Sequence, residues 1–404
     1  MEIRPILSAM LRNKTGPILI ALQIAITMAL IANSMQIINE REDIMARPTG
    51  MDEGNIVFAS SIGFTETYDQ LRTWNEDRDT LLAIPGVTHV GYMNRAPLSG
   101  GGSSSTFKNQ PGEGEGVISE GIAYYNGDQY LQDALGLELD EGRWFLPEEV
   151  YYQGEDDLDE ITPAVVITRT VADKLFPEGN ALESMVYNGL DQPRRVVGII
   201  KHMQGPWLSW NNVDHVMIYG RISAQNALGF MIHTEPGMAD KLMPEIETAL
   251  QQSNRERVVT TVRTLQDYKM RSYAENTAMV GLLSIVSWLL IGITALGTLG
   301  LAAFNVNQRR KQIGTRRALG ATKADILRYF LLEGGLIALL GVALGTVLSM
   351  GLSWLLGTNF GVPRIEWYQL LPIVIGLLLL AVLAVLGPAQ RATRVPPAMA
   401  TRSV

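Results

Sequence analysis

The sequence predicts an α-helical membrane protein with four transmembrane helices and an α+β extracytoplasmic domain of two lobes. Three observations carry that expectation. Four long runs, 17–38, 279–304, 334–357 and 370–387, contain no charged residue. Charge is divided unequally between the segments that these runs separate. The long stretch after the first run twice switches its apolar spacing from period two to period 3.6 and back.

The first span follows a short N-terminal segment, 1–16. A helix needs roughly 20 apolar residues to cross a bilayer core, and 17–38 meets that length. Its apolar stretch exceeds the roughly 7–15 residues of a signal h-region, and no A-x-A site follows it, so it reads as an anchor that stays in place.

Orientation comes from Lys and Arg. Arg4, Arg12 and Lys14 precede the first span; Arg391, Arg394 and Arg402 follow the fourth. Between the second and third spans, residues 305–330 hold seven Lys/Arg and one acid. The positive-inside rule then puts both termini and this loop in the cytoplasm. Residues 39–278 fall outside; they carry 19 basic and 37 acidic residues within a chain whose net charge is −8. Such an acidic domain is simply soluble on the plain reading. The 404 residues include no cysteine, so no disulfide holds it together.

Within 39–278, "NIVFAS" (55–60) reads as a strand. A helix follows with Tyr68, Leu71, Trp74, Leu81 and Leu82 on one face, then a second strand after Pro85-Gly86. Later, "ALGFMIHTE" (227–235), a helix with Met238, Leu242, Ile246 and Leu250 on one face, and "RVVTTVRT" (257–264) repeat the order. These are two βαβ halves of one lobe, separated by an inserted lobe at about 115–212 with its own strands at 164–168 and 194–202. The Gly/Ser-rich stretch 98–116 reads as a surface loop joining the lobes, and it lacks the Gly-Lys-Ser/Thr ending of a phosphate loop. Residues 39–46 and 264–278 are polar but contain no Gly or Pro, so both flanking spans can continue as helical stalks.

The second span, 279–304, leads to the basic segment 305–330, and 331–357 is the third span. "NVNQRRKQIGTRRAL" suits a helix at the membrane surface. Gly320 is placed to end it, because glycine accepts positive φ at a helix C-terminus. Thr322 with Asp325 three residues on is a capping-box pattern that starts the next helix at Lys323. The predicted unit is helix, tight break, helix: an elbow fixed to the third span. Only Glu333 is ionisable near that span, at its cytoplasmic start, where pairing with a nearby Arg is the plain reading and a contact that moves in a cycle the alternative. A short outer loop (358–369), the fourth span (370–387) and a tail (388–404) complete the chain.

Small residues recur every four positions at Ala21, Ala25 and Ala29 on the first helix and at Gly341, Gly345, Ser349 and Ser353 on the third. Such stripes let backbones approach closely, either within the chain or across a dimer seam. Four helices are few for a complete substrate path, which calls for a second copy or a related partner. The four histidines (89, 202, 215, 233) show no metal-ligand spacing, and no nucleophile motif stands out, so neither a metal nor a catalytic residue is assigned. Nucleic-acid binding is disfavoured because the basic loop is short, lies against the bilayer and lacks interleaved aromatics.

"RRKQIGTRRALGATKADILRYFLLEGGLIALLG" (309–341) resembles the signature of the FtsX/MacB-type permeases of ABC transporters, the type VII or mechanotransmission group. The tail 388–402 resembles that family's closing segment, and 127–145, 164–182 and 194–203 resemble the MacB-like periplasmic core. The resemblance implies a bacterial inner-membrane protein whose protomers, identical or related, pair. It also implies an elbow that docks on an ABC ATPase through Arg309, Arg310, Lys311, Ile313, Gly314, Arg316, Arg317, Ala318, Leu319 and Gly320, with Thr322 and Asp325 holding the bend. No Walker A sequence occurs in these residues, so ATP and Mg are expected on a separate ATPase subunit. A membrane-fusion adaptor and an outer-membrane channel are further candidate partners. The implied function is ATP-driven movement of the periplasmic domain for export of a peptide, antibiotic or other amphipathic molecule. The alternatives are a signal transmitter that activates an extracytoplasmic hydrolase, and lipoprotein extraction. Gln312 departs from the Glu common at that place.

Overall fold

The computed structural model describes residues 14–153, 163–223 and 227–396. Arg4, Arg12 and Arg402, three of the charges used for orientation, lie outside them. Helix α1 (Thr15–Met45) comes first. Then follow β1 (Ile56–Gly63), α2 (Gln70–Leu82), β2 (Val87–Tyr92), β3 (Ser103–Lys108), β4 (Ser119–Gly127) and α3 (Leu131–Leu135). Next are β5 (Leu139–Gly142), β6 (Tyr151–Gln153), β7 (Ala164–Thr168), α4 (Arg169–Leu175), β8 (Met185–Tyr187) and β9 (Pro193–Ile200). After these come β10 (Val216–Ser223), β11 (Ala227–Thr234), α5 (Ala239–Ser253), β12 (Arg257–Thr264) and α6 (Leu265–Ser272). The chain closes with α7 (Ala274–Gln308), α8 (Arg310–Ala318), α9 (Lys323–Phe360) and α10 (Leu370–Thr393). It divides into two compact units: Ala46–Glu275, and the segments on either side of it.

In Ala46–Glu275 the two β-α-β segments interleave. The strand order is β12-β1-β11-β2, and every neighbour is antiparallel. Because β11 of the second segment lies between β1 and β2 of the first, neither segment forms this sheet alone. Period-3.6 spacing gives α2 and α5 one apolar stripe each. Trp74 and Leu81 of α2 share a buried cluster with Leu242, Ile246 and Leu250 of α5 and with Val57, Phe230 and Ile232 of the sheet. Trp74 stacks on Phe230, ring centroids 5.2 Å apart. Leu71, expected on the inner face, is 40% exposed. The cap at Asp69, whose side chain accepts from the Arg72 amide, starts α2 so that Gln70, Thr73, Trp74, Asp77 and Leu81 face inward instead.

A buried ion pair ties this lobe together. Arg257, the first residue of β12, forks onto the Asp77 carboxylate of α2 and also donates to the Leu250 carbonyl at 2.6 Å. The Arg257 and Asp77 side chains are 0% and 1% exposed.

The second lobe runs from β3 to β10, wider than the expected 115–212. Its strand path is β4-β3-β8-β9-β7-β10-β6, and β4 also pairs with β10, so the path closes on itself and leaves few open edges. Residues 103–108, expected as part of a loop, are β3, paired along its length with β4. The reason for the difference is compositional: Ser104, Ser105 and Thr106 are exposed and only Phe107 and Lys108 are buried. The strand therefore shows no apolar alternation and takes its register from β4. Phe107, Ile122, Val165, Ile167, Val196 and Met217 form the lobe's buried cluster.

Asp128, just after β4, is fully buried and links the lobes. Its Oδ1 accepts from the backbone amides of Tyr92 (3.0 Å) and Tyr130 (3.2 Å), while Oδ2 has no hydrogen-bond partner among the described residues. Burial pushes this carboxyl up to about 7, against the lowering effect of the two amides. The folded chain therefore holds a proton that the unfolded chain has released above about pH 4, so stability falls as pH rises from about 4 to the folded value and stays low above it. We expect Asp128→Asn to remove most of this decline, which amounts to about 4 kcal/mol at most, when unfolding is followed by Trp fluorescence between pH 5 and 8. Glu149, held down to about 2 chiefly by Arg143, makes no slope in that window.

Among the described residues, the other unit contains four helices long and apolar enough to cross a membrane. Its core lies between α1, α9 and α10, where Ile24, Met28, Ile337, Val342, Leu377 and Val385 share one cluster. The two small-residue stripes meet each other inside the chain. A Cβ on Gly341 would lie 2.9 Å from the Ala21 carbonyl oxygen, and one on Gly345 would lie 2.8 Å from Met28 Cβ and 3.1 Å from Ala25 Cα. Asn33 Nδ2 donates to the Ser349 carbonyl at 3.2 Å further along the same seam. Gly345→Val should therefore cost about 1–3 kcal/mol of overpacking, read as a lower thermal midpoint in detergent, whereas Gly351→Ala, where no atom lies within 4 Å, should leave that midpoint unchanged.

Helix α7 is mostly outside this core; of its residues only Thr294, Thr298 and Val306 are buried. It touches α1 through polar groups, Thr27 Oγ1 to Thr294 Oγ1 at 2.7 Å and Gln23 Nε2 to the Ile293 carbonyl at 3.0 Å. Hydrogen bonds of this kind hold helices together where hydrocarbon offers no hydrophobic drive.

Candidate functional site: the basic elbow

The elbow is built by local signals. Helix α7 continues to Gln308, further than the expected span end, and breaks at Arg309; the nine-residue α8 then takes the place of the longer surface helix expected. Gly320, at φ +98°, ends α8. Its amide donates to the Arg317 carbonyl (3.2 Å), and that of Ala321 to the Arg316 carbonyl (3.1 Å). This pair of bonds is a Schellman motif, and it requires the positive φ that glycine tolerates. Two residues on, Thr322 Oγ1 accepts from the Asp325 amide (3.2 Å) and Asp325 Oδ2 from the Thr322 amide (3.0 Å). The capping box sits where the sequence predicts it. The bend is thus fixed on both sides of a two-residue link.

Side chains anchor the elbow to the helices beside it. Arg309 Nη1 donates to both Glu333 oxygens at 2.9 Å, with only 12% and 6% of the two side chains exposed. Glu333 therefore has the arginine partner of the plain reading. Arg316 lies over the Tyr329 ring, 4.6 Å from its centroid. Arg317 Nη1 donates to the carbonyls of Thr393 (3.1 Å) and Val395 (2.6 Å), capping the end of α10. Ile313 and Gly314 form the buried face of α8, and Ile313 belongs to the cluster with Ile326, Phe330 and Ala392.

Three of the seven basic side chains thus bind within the chain. Arg310 and Lys311 remain exposed and make no ion pair among the described residues. Between the Schellman turn and α8, Leu319 is 84% exposed, with Ala318 exposed beside it. Leu319 thus stands exposed on the glycine-ended turn, with Arg310 and Lys311 exposed on the same short helix. Which arginine would pair with Glu333, and the internal role of Arg317, were not legible in the sequence. The partners of Arg309 and Arg317 are 24 and 76–78 residues away, and no spacing rule reaches that far.

Fold and elbow together define a membrane protein that carries a large folded unit and a rigid bend beside its apolar helices. A family model of the MacB-like periplasmic core domain matches residues 18–267, and one of the FtsX-like permease C-terminal matches residues 284–397. The chain belongs to this MacB/FtsX-like family of ABC transporter permeases. It is 24% identical over 356 residues to the macrolide export ATP-binding/permease protein MacB of Neisseria gonorrhoeae, covering 85% of this chain and 51% of that protein. It is 26% identical over 299 residues to the ABC transporter permease YvrN of Bacillus subtilis, covering 69% of each. The chain spans about half the length of the MacB relatives it matches. Among solved structures, the periplasmic region of MacB from Actinobacillus actinomycetemcomitans aligns with a TM-score of 0.34 at 12% identity, over 57% of this chain and 97% of that one.

Proposed function

We propose that the chain is the force-transmitting permease subunit of an ABC transporter in a bacterial inner membrane. In this reading the termini and the elbow face the cytoplasm, and a separate ATPase subunit, carrying ATP and Mg, grips the elbow. Nucleotide binding and release there would tilt α9, to which the capping box and the Arg309–Glu333 pair join the elbow. The Ala46–Glu275 unit would respond on the other side, in a pair with a second identical or related protomer, and expel a peptide, antibiotic or other amphipathic molecule.

The observation that supports this reading best is the elbow's division of labour. Arg309, Arg316 and Arg317 hold it against the helices, and Leu319, Arg310 and Lys311 point away. A loop whose positive charge served only to fix topology would not need Arg309 and Arg317 tied to the neighbouring helices. The test is to isolate the native complex from membranes and measure its ATP hydrolysis. An ATPase subunit in fixed ratio, together with an adaptor, is the expected result. A hydrolase partner in place of an adaptor would favour signal transmission, and full activity of the isolated chain would overturn the proposal.

A further inference from the structure

A cavity of about 690 Å³ opens between the two sheets of the Ala46–Glu275 unit, within the roughly 300–1,000 Å³ range of small-molecule sites. Its walls come from β1, β12 and α6 on one side and from β4 and β10 on the other. Two arginines, Arg95 and Arg221, line it, and among the described residues no Asp or Glu does. That is unexpected, because residues 39–278 carry 37 acids and 19 bases.

The chemistry of Arg221 is the sharper observation. Its Nε and Nη2 donate to Asn126 Oδ1 at 3.0 and 2.7 Å. Asn126 is itself fixed, since its amide donates to Asn94 Oδ1 at 3.0 Å, and the Asn94 amide donates back to the Asn126 carbonyl at 3.3 Å. A neutral amide therefore orients the guanidinium without cancelling its charge. Neither Arg221 nor Arg95 makes an ion pair with a carboxylate among the described residues, and no hydrogen bond engages Arg221 Nη1 there. Ser60, Ser99, Thr260 and Tyr268 line the same space; the Ser60 and Thr260 hydroxyls bond each other at 2.7 Å and Ser99 Oγ donates to the Gly101 carbonyl at 3.0 Å, so this wall is polar and neutral.

We propose that this cleft binds a small solute through one anionic group, a carboxylate or a phosphate, received by Arg221 and Arg95. A pre-oriented guanidinium presents parallel N–H donors that match both groups. The hydroxyl wall suits a polar body attached to the anion. The proposal concerns binding by the chain itself and stands whether or not the reading of the elbow does.

The experiment is calorimetric titration of the purified full chain in detergent with three probes: N-acetyl-trialanine with a free carboxylate, the same peptide amidated, and sn-glycerol 3-phosphate. We expect saturable binding of one or both anions and none of the amidated peptide. Binding of the peptide alone assigns the carboxylate source, and of the glycerophosphate alone the phosphate source. Arg221→Gln should weaken the bound probe at least tenfold, with Arg221→Lys recovering part of the loss. Arg95→Gln, at an exposed position, provides a second variant that folding cannot confound and should also weaken binding. No saturable binding of either anion, equal binding of the amidated peptide, or unchanged binding by both glutamine variants would overturn the proposal.

Discussion

If an ATPase subunit grips the elbow as proposed, Leu319→Asp should abolish its recovery with this chain and lower coupled ATP hydrolysis at least tenfold, while the protein still inserts and folds. The side chain is 84% exposed, so its replacement removes little from the chain's own packing. Burying a leucine against a partner is worth roughly 1.5–3 kcal/mol, which is about 10- to 100-fold in affinity. An aspartate there adds the cost of taking an unpaired charge out of water. Arg317→Glu serves as the contrast. It removes the donors to the Thr393 and Val395 carbonyls, so it should lower the thermal midpoint of the helical unit as well as weaken the complex. Unaltered recovery of the ATPase with Leu319→Asp would show that the partner grips elsewhere. Co-purification and thermal unfolding in parallel read both variants.

Asp77→Ala should destabilise the Ala46–Glu275 unit by about 3–5 kcal/mol, the usual cost of leaving one partner of a buried ion pair uncompensated. Arg257 would then keep its bonds to the Leu250 carbonyl and to Ser253 but lose the only carboxylate with which it forms an ion pair among the described residues. Domains of this kind are stable by only about 5–15 kcal/mol, so a large share of the total is at stake. Replacing both partners, Asp77→Leu with Arg257→Met, should recover most of the loss, because the pair contributes little net energy once its desolvation is counted. Trp74, packed in the same core and 2% exposed, reports unfolding in denaturant. A cost below about 1 kcal/mol would mean that water reaches the pair, as for an exposed salt bridge.

These two residues mark how far the sequence could be read. The bend around Leu319 was legible because its signals are local, whereas Leu319 itself entered only through the family resemblance. A glycine that can end a helix, a threonine three residues before an aspartate and an uncharged run are all defined within a few positions. Asp77 carried no signal of that kind. Its partner lies 180 residues away, and an acid on a helix reads as a solvated face until the opposite strand is in place. The β3 strand escaped notice for the converse reason: three of its residues face water, and composition alone made it a loop.

By itself the sequence determined four helices long enough to cross a bilayer, the separation of an acidic unit from basic flanks, the two β-α-β segments and the bend at Gly320. Each follows from hydrophobic period, charge count or backbone preference, which act between near neighbours. Only the tertiary structure decided that the small-residue stripes of α1 and α9 meet each other, that Arg309, Arg316 and Arg317 bind inward while Leu319 stays out, and that Arg221 lines a cavity with no acid among the described residues. Those outcomes depend on which surfaces come within a few ångströms after folding. Close packing and short-range hydrogen bonds set that distance, and they act between residues that the chain order keeps far apart.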